Sequence, residues 1–135
     1  MGYAARLART GRSVSLGPLE VAEVDAKGAG REAEGVLLRR ALPAGAPVVA
    51  LDERGRMLGS RELASRLGTW RDEGARETVF LIGGADGLCP ELRGEADLAL
   101  SLGAMVWPHR LVRAMLAEQL YRASSILAGT PYHRA

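Results

Sequence analysis

Two short stretches hold most of the residues with evident chemical use. In FLIGGADGL, Phe80 to Leu88, an apolar run ends in a glycine turn, and the chain closes on PYHRA, with Tyr132, His133 and Arg134 in succession. Gly83, Gly84 and Gly87 have no Cβ, so backbone amides there can come close to a ligand. The same residues would equally serve as a tight turn after a strand. A phosphate loop is disfavoured, because no Lys-Ser or Lys-Thr follows the glycines and their spacing does not fit GxGxxG. The terminal trio combines a ring for stacking, a group that titrates near neutrality and a guanidinium, a set that suits recognition of a nucleotide. The alternative is a loose terminus with no task.

A third stretch, LGAMVWP from Leu102 to Pro108, is apolar and small at its centre. Set between a strand and a helix, it would offer backbone N–H and C=O groups in a greasy slot, which fits a purine better than a phosphate. Met105, Val106 and Trp107 could instead be core residues. His109, just after Pro108 at a helix start, reads either as a structural histidine or as a site residue. Cys89 is the single cysteine and is expected to be a passive, half-buried thiol. With only His109 and His133 beside it, one chain cannot assemble a Cys/His zinc cluster, so no metal site is expected.

The elements that would position these stretches alternate. A short helix fits Gly2 to Arg12, a half-buried strand LEVAEVD at 19–25, and a turn Lys27 to Gly30. The helix REAEGVLLRRAL stops before Pro43, and PVVALD, Pro47 to Asp52, reads as an interior parallel strand followed by a polar loop to Gly59. Ser60 is the expected N-cap of RELASRLGTWRDEG, which carries Leu63, Leu67 and Trp70 on one face. ETVFLI, a short helical piece from Pro90 to Arg93, and the strand in ADLALSL follow. The last helix opens at Pro108, shows Val112, Met115, Leu116, Ala123, Ile126 and Leu127 as an apolar stripe, pairs Glu118 with Arg122 at i,i+4, and ends by Gly129. Strands alternating with helices imply a mostly parallel sheet covered on both faces, and ligands in such sheets bind beyond the strands' carboxyl ends. Three loops leave such ends, after Leu51, Ile82 and Leu102.

At 135 residues the chain is expected to form one domain, 1–135, with 130–135 as a functional tail. Hydrophobic residues make up 47% and charged residues 25%, an ordinary globular balance, and no apolar run nears the roughly 18 to 20 residues that span a bilayer. The opening MGYAARLARTGR lacks the apolar segment of a signal peptide, so a cytoplasmic protein with no membrane partner is expected. A net charge of +2 permits nucleic-acid binding without demanding it. Lys27 is the sole lysine; the other cations are arginines, which favour bidentate phosphate contacts, although GC-rich coding would give the same bias.

Taken together, FLIGGADGL, LSLGAMVWPHRLVRAMLAEQLYRASSIL and the terminal PYHR resemble the bacterial RlmH-type methyltransferases of the SPOUT, or trefoil-knot, class. The likeness is ordered over roughly the last 60 residues and looser upstream. It implies an α/β fold with a C-terminal trefoil knot, a homodimer, S-adenosyl-L-methionine as methyl donor, and methylation of N3 of a pseudouridine in large-subunit rRNA on the assembled ribosome, with no DNA partner. By position it implies cofactor contacts at Leu51, Gly83, Leu102, Gly103, Ala104, Met105, Val106 and Trp107, with Gly84 and Gly87 supporting the turn. His109, Arg122, Tyr132, His133 and Arg134 fall at the substrate end, His133 as the candidate for proton handling and Arg134 or Arg122 for electrostatic support. Two departures from the family are expected: relatives usually open with a strand ahead of the first helix, whereas this sequence reads from inside that helix, and Gly103 and Val106 stand where serine and threonine are common. The competing readings are a noncatalytic, truncated or diverged knot module that dimerises, with or without binding the cofactor, and transfers nothing, and another nucleotide-using α/β enzyme.

Overall fold

The computed structural model describes residues 31–82 and 88–134. The expected helix at 2–12, the strand at 19–25, the turn at 27–30 and the glycines Gly83, Gly84 and Gly87 lie outside the described residues. In chain order the elements are α1 (Arg31–Ala41), β1 (Val48–Arg56), α2 (Ser60–Asp72), β2 (Val79–Ile82), α3 (Pro90–Glu95), β3 (Leu98–Leu100) and α4 (His109–Ala128). By contact density they belong to two compact units: α1, β1, β2, α3 and β3 in one, α2 and nearly all of α4 in the other.

In the first unit the three described strands form a parallel sheet in the order β2-β1-β3. Val49 and Ala50 are adjacent on β1 and both fully buried. Successive strand residues point to opposite faces, so the sheet is covered on both sides, as its continuous apolar run anticipates. One face carries Ala50 and Leu81 and packs on Leu88, Cys89 and Leu92, with Leu38, Leu42, Val48, Val79 and Ala96 at its margin. The other buries Val49, Leu98 and Leu100. Asp97 closes the entry to β1, its carboxylate accepting from the N–H of Val48 at 2.8 Å while its own N–H donates to the Val48 carbonyl.

Cys89 is more buried than expected, at 6% exposure. It touches α1 at Gly35, where an added Cβ would stand 2.4 Å from the Cys89 Sγ. A glycine inside a helix costs about 1 kcal/mol relative to alanine; here it lets helix and thiol meet.

β1 also differs from expectation. Asp52 to Gly59 reads as a loop, yet the strand runs on to Arg56. Leu51 pairs with Leu100, and so does Arg56, leaving residues 52–55 as an excursion between two pairings with a single partner. Gly55 makes the return possible, because a Cβ there would lie 2.5 Å from the carbonyl oxygen of Ala99.

In the second unit α2 buries Leu63, Ala64, Leu67 and Gly68. Its N-cap is Gly59 rather than Ser60: the Gly59 N–H donates to the Glu62 carboxylate at 3.2 Å and its carbonyl accepts from Leu63. Ser60 is the first helical residue, and its hydroxyl donates to Gln119 Oε1 on α4 at 2.7 Å. Further along, Gly68 faces Leu127. The two contacts are equally spaced on both helices, so α2 and α4 run side by side in the same direction. The buried stripe of α4 is Leu116, Leu120, Ala123, Ser124 and Ser125, shifted from the expected one; Val112, Met115, Ile126 and Leu127 are half-buried. The helix ends at Ala128, with Gly129 at φ +76°, as left-handed C-terminal glycines do.

Candidate functional site

Pairing puts Leu51, Ile82 and Leu100 level with one another across the sheet. The carboxyl ends of β2 and β3 therefore lie on either side of Leu51, where β1 begins its excursion. Gly83 follows Ile82 directly in sequence, and the 101–108 loop follows β3. Of the expected cofactor contacts, Leu51 and the start of the Leu102–Trp107 loop are thus brought together.

The loop after β3 is built around Ser101, which is 6% exposed. The Gly103 N–H donates to the Ser101 Oγ at 3.0 Å, closing a turn that holds Gly103 at φ +112°. An L-residue rarely adopts that conformation, so a glycine suits this turn. Beyond it Ala104, Met105 and Val106 are exposed, the last two at 68% and 86%. They are not the core residues of the alternative reading. Trp107 is half-buried, and its indole N–H is buried without a hydrogen-bond partner among the described residues. A buried N–H left unpaired costs about 1–3 kcal/mol, so it calls for an acceptor. The loop accordingly offers backbone polar groups, one unmet donor and apolar surface. That set fits a purine ring better than a phosphate.

The excursion of β1 abuts this loop. The Asp52 carboxylate accepts from the Arg54 N–H at 2.8 Å and from Arg93 Nη1 of α3 at 2.9 Å. Burial pushes Asp52 upward, but the Arg54 N–H and the charges of Arg93 and Arg54 outweigh it, and the carboxyl titrates below the usual value.

The terminal residues gather on α4. Arg122 donates from Nε and Nη2 to Glu118 Oε1 at 2.9 and 2.7 Å and from Nη1 to His133 Nδ1 at 3.1 Å. Tyr132 lies under the Arg122 guanidinium, 4.8 Å from its ring centroid, meets the Tyr121 ring edge-on at 4.5 Å, and donates its hydroxyl to Glu118 Oε1 at 3.2 Å. Thr130 starts the tail by donating its N–H to the Ser125 carbonyl. The tail through His133 is therefore docked. Because an arginine can only donate, Nδ1 of His133 is the acceptor and a neutral ring carries its proton on Nε2. Arg134 is exposed. His109 is the first residue of α4, and Gly83, Gly84 and Gly87 lie outside the described residues.

Three contributors were not singled out from sequence. Glu118 reads there as half of a helix-surface pair, Ser101 as a strand residue, and Asp52 as a loop acid. Only Glu118 left a usable signal, through its spacing to Arg122. Among the described residues no three His, Cys, Asp or Glu side chains form a metal-holding group, and no described helix is long and apolar enough to cross a membrane.

A three-stranded parallel sheet agrees with the α/β fold expected above. The family model described as predicted SPOUT methyltransferase matches residues 2–133, and the chain belongs to this family. Among individual proteins it is similar to those called ribosomal RNA large subunit methyltransferase H from Ruegeria pomeroyi (60% identical), Roseobacter denitrificans (61%) and Paracoccus denitrificans (59%), each over 98% of this chain and 85% of the relative. The resemblance carried by FLIGGADGL, the α4 segment and PYHR is thereby met.

Proposed function

We propose that this protein methylates large-subunit ribosomal RNA, using S-adenosyl-L-methionine, at N3 of a pseudouridine, and that it works as a homodimer on the assembled ribosome. Two observations carry the reading: Leu51, Ile82 and Leu100 stand level across the sheet, and the loop that follows β3 holds an unmet indole N–H, in a chain about 60% identical to proteins named for that RNA. In this reading the family's trefoil knot brings the loops after β1, β2 and β3 around one pocket.

Leu51, Gly83, Leu102, Gly103, Ala104, Met105, Val106 and Trp107 would hold the donor, with Gly84 and Gly87 shaping the turn. Loss of the hydroxyls common at 103 and 106 leaves backbone groups and the Trp107 N–H as the polar contacts. Bound there, S-adenosylmethionine supplies a methyl group made electrophilic by its sulfonium, so no enzyme nucleophile is required. The protein's share is alignment, which can lower a barrier by up to roughly 7–11 kcal/mol, and easing the loss of the N3 proton.

For the latter, Arg122 and Arg134 stabilise negative charge developing on the base. His133 accepts the proton at Nδ1 once Arg122 leaves that nitrogen for the substrate; until then Nδ1 is occupied and Nε2 is a donor. Tyr132 and His109 complete the substrate side.

Two measurements test the reading. Calorimetry should detect S-adenosylmethionine binding; none at millimolar ligand sinks the proposal. Removing Tyr132–Ala135 should abolish methyl incorporation into ribosomes lacking the modification while cofactor affinity stays within about twofold. Binding without transfer by the intact chain would instead identify a noncatalytic module.

A further inference from the structure

Resting on the reading that the 102–107 loop holds the methyl donor, we infer that Ser101 is a positioning residue for cofactor binding: it clasps the β1 excursion to the turn that presents that loop. The hydroxyl lies where both segments meet. It accepts from the Gly103 N–H at 3.0 Å, and its proton reaches the Glu53 carbonyl at 3.1 Å, with the Gly103 carbonyl at 3.3 Å as the alternative. The Ser101 N–H meanwhile donates to the Arg56 carbonyl at 2.9 Å. One buried residue thus holds both limbs of the excursion and the first turn of the loop.

The excursion has few other supports. Gly55 lies against the backbone of Ala99 and Leu100, and Asp52 is tied to Arg93. Neither reaches Gly103. Without the Ser101 hydroxyl the Gly103 N–H and the Glu53 carbonyl lose their partner together, and the backbone from 102 onward loses the bond that fixes its direction. Because Gly103 is at φ +112°, a conformation open to glycine along with several others, the turn depends on that bond to select one. Losing it should show as weaker binding of whatever the loop holds, with less effect on a step that follows binding.

The test compares Ser101→Ala with Ser101→Thr, which keeps the hydroxyl. Three quantities are read: S-adenosylmethionine affinity by calorimetry, exchange of the Gly103 amide by NMR, and the KM and kcat for methyl transfer to ribosomes. Ser101→Ala should weaken binding about tenfold, the order expected for a hydrogen-bonded buried group. It should raise the cofactor KM in parallel, leave kcat at saturation within about threefold, and accelerate Gly103 exchange; Ser101→Thr should recover most of the affinity. A purely structural role would lower the melting temperature without moving the affinity of the folded protein. Wild-type affinity in Ser101→Ala, or a Gly103 amide still protected in it, overturns this assignment alone. Should Ser101→Ala not fold, Ser101→Cys, which keeps the size of the side chain but donates and accepts only weakly, takes its place. A smaller loss of affinity supports the clasp, and unchanged affinity overturns it. Wild-type protein that binds no S-adenosylmethionine overturns the functional reading and this assignment with it.

Discussion

At the scale of single residues, Glu118 organises the docked tail. One of its oxygens accepts from Nε and Nη2 of Arg122 and from the Tyr132 hydroxyl, and the other from Gln119 Nε2 at 3.3 Å. A carboxylate serving several donors at once both orients them and offsets the arginine's charge, and such charge-assisted bonds are about twice as strong as neutral ones. Both side chains are partly solvated, which reduces the worth of the pair. Glu118→Gln keeps the shape and loses the charge. It should lower methyl transfer about tenfold, with cofactor affinity unchanged within about twofold, as read by isotope incorporation and calorimetry. Tyr132→Phe removes the 3.2 Å bond to Glu118 without touching the Arg122 pair and should cost less. The Glu118–Arg122 pair is visible in sequence because i,i+4 neighbours on a helix must face each other. Tyr132 returning to the same oxygen is not visible, since it depends on the chain reversing after Gly129 and docking on α4. His133 shows the same limit: its type marks it for proton chemistry, but only the Arg122 contact shows which nitrogen is engaged.

Among elements, β1 departs furthest from what its residues suggest. PVVALD is legible as an interior strand because apolar β-branched residues bury on both faces of a parallel sheet. The following DERG is polar and contains glycine, so by local signals it is a loop. What restores strand pairing at Arg56 is a partner on β3, and no local pattern reports a partner more than forty positions away. The described helices were legible to within a residue or two; the N-cap of α2 moved from Ser60 to Gly59, Ser60 being engaged with Gln119. The buried stripe of α4 shifted because Ser124 and Ser125, polar by type, are in the interior. The excursion also makes stability depend on pH. The folded carboxyl of Asp52 titrates below its unfolded value, so its contribution is present above the unfolded pKa, about 3.9, and is lost as pH falls through the folded value. Asp52→Asn should therefore flatten the acid limb of a denaturation midpoint plotted against pH below about 4, while lowering stability at neutral pH. Equal acid limbs in the two proteins would refute the assignment.

For the whole molecule, charge is the guide. Eighteen basic against sixteen acidic side chains give only +2, which suits the proposal that a shaped particle is recognised and few phosphates are gripped. Each neutralised phosphate adds about 0.7–0.9 to the slope of log affinity against log salt. Raising salt from 50 to 200 mM should therefore weaken ribosome binding about tenfold, against the roughly thousandfold or greater loss of a binder making 6–10 phosphate contacts. If the proposed selection by shape holds, transfer to deproteinised ribosomal RNA should be at least about tenfold poorer than to the assembled particle. Sedimentation across a salt series and parallel methylation assays check both. The family and its activity were legible because FLIGGADGL, the α4 segment and PYHR are separate stretches pointing to one group of proteins; the division of the described residues into two units was not, because each unit is drawn from segments far apart in the chain.

The double pairing at Leu100 bears on how this protein tolerates changes of length. Dropping or adding one amino acid between Asp52 and Gly55 forces the chain to give up one of two bridges to the same leucine, and with it either the interior strand or the Ser101 junction. The stretch from Gly74 to Thr78 joins its neighbours outside any strand or helix and carries no such obligation. Indels drifting through descendants of this gene, and any tag an engineer wishes to splice in, should be accommodated at the second place and rejected at the first.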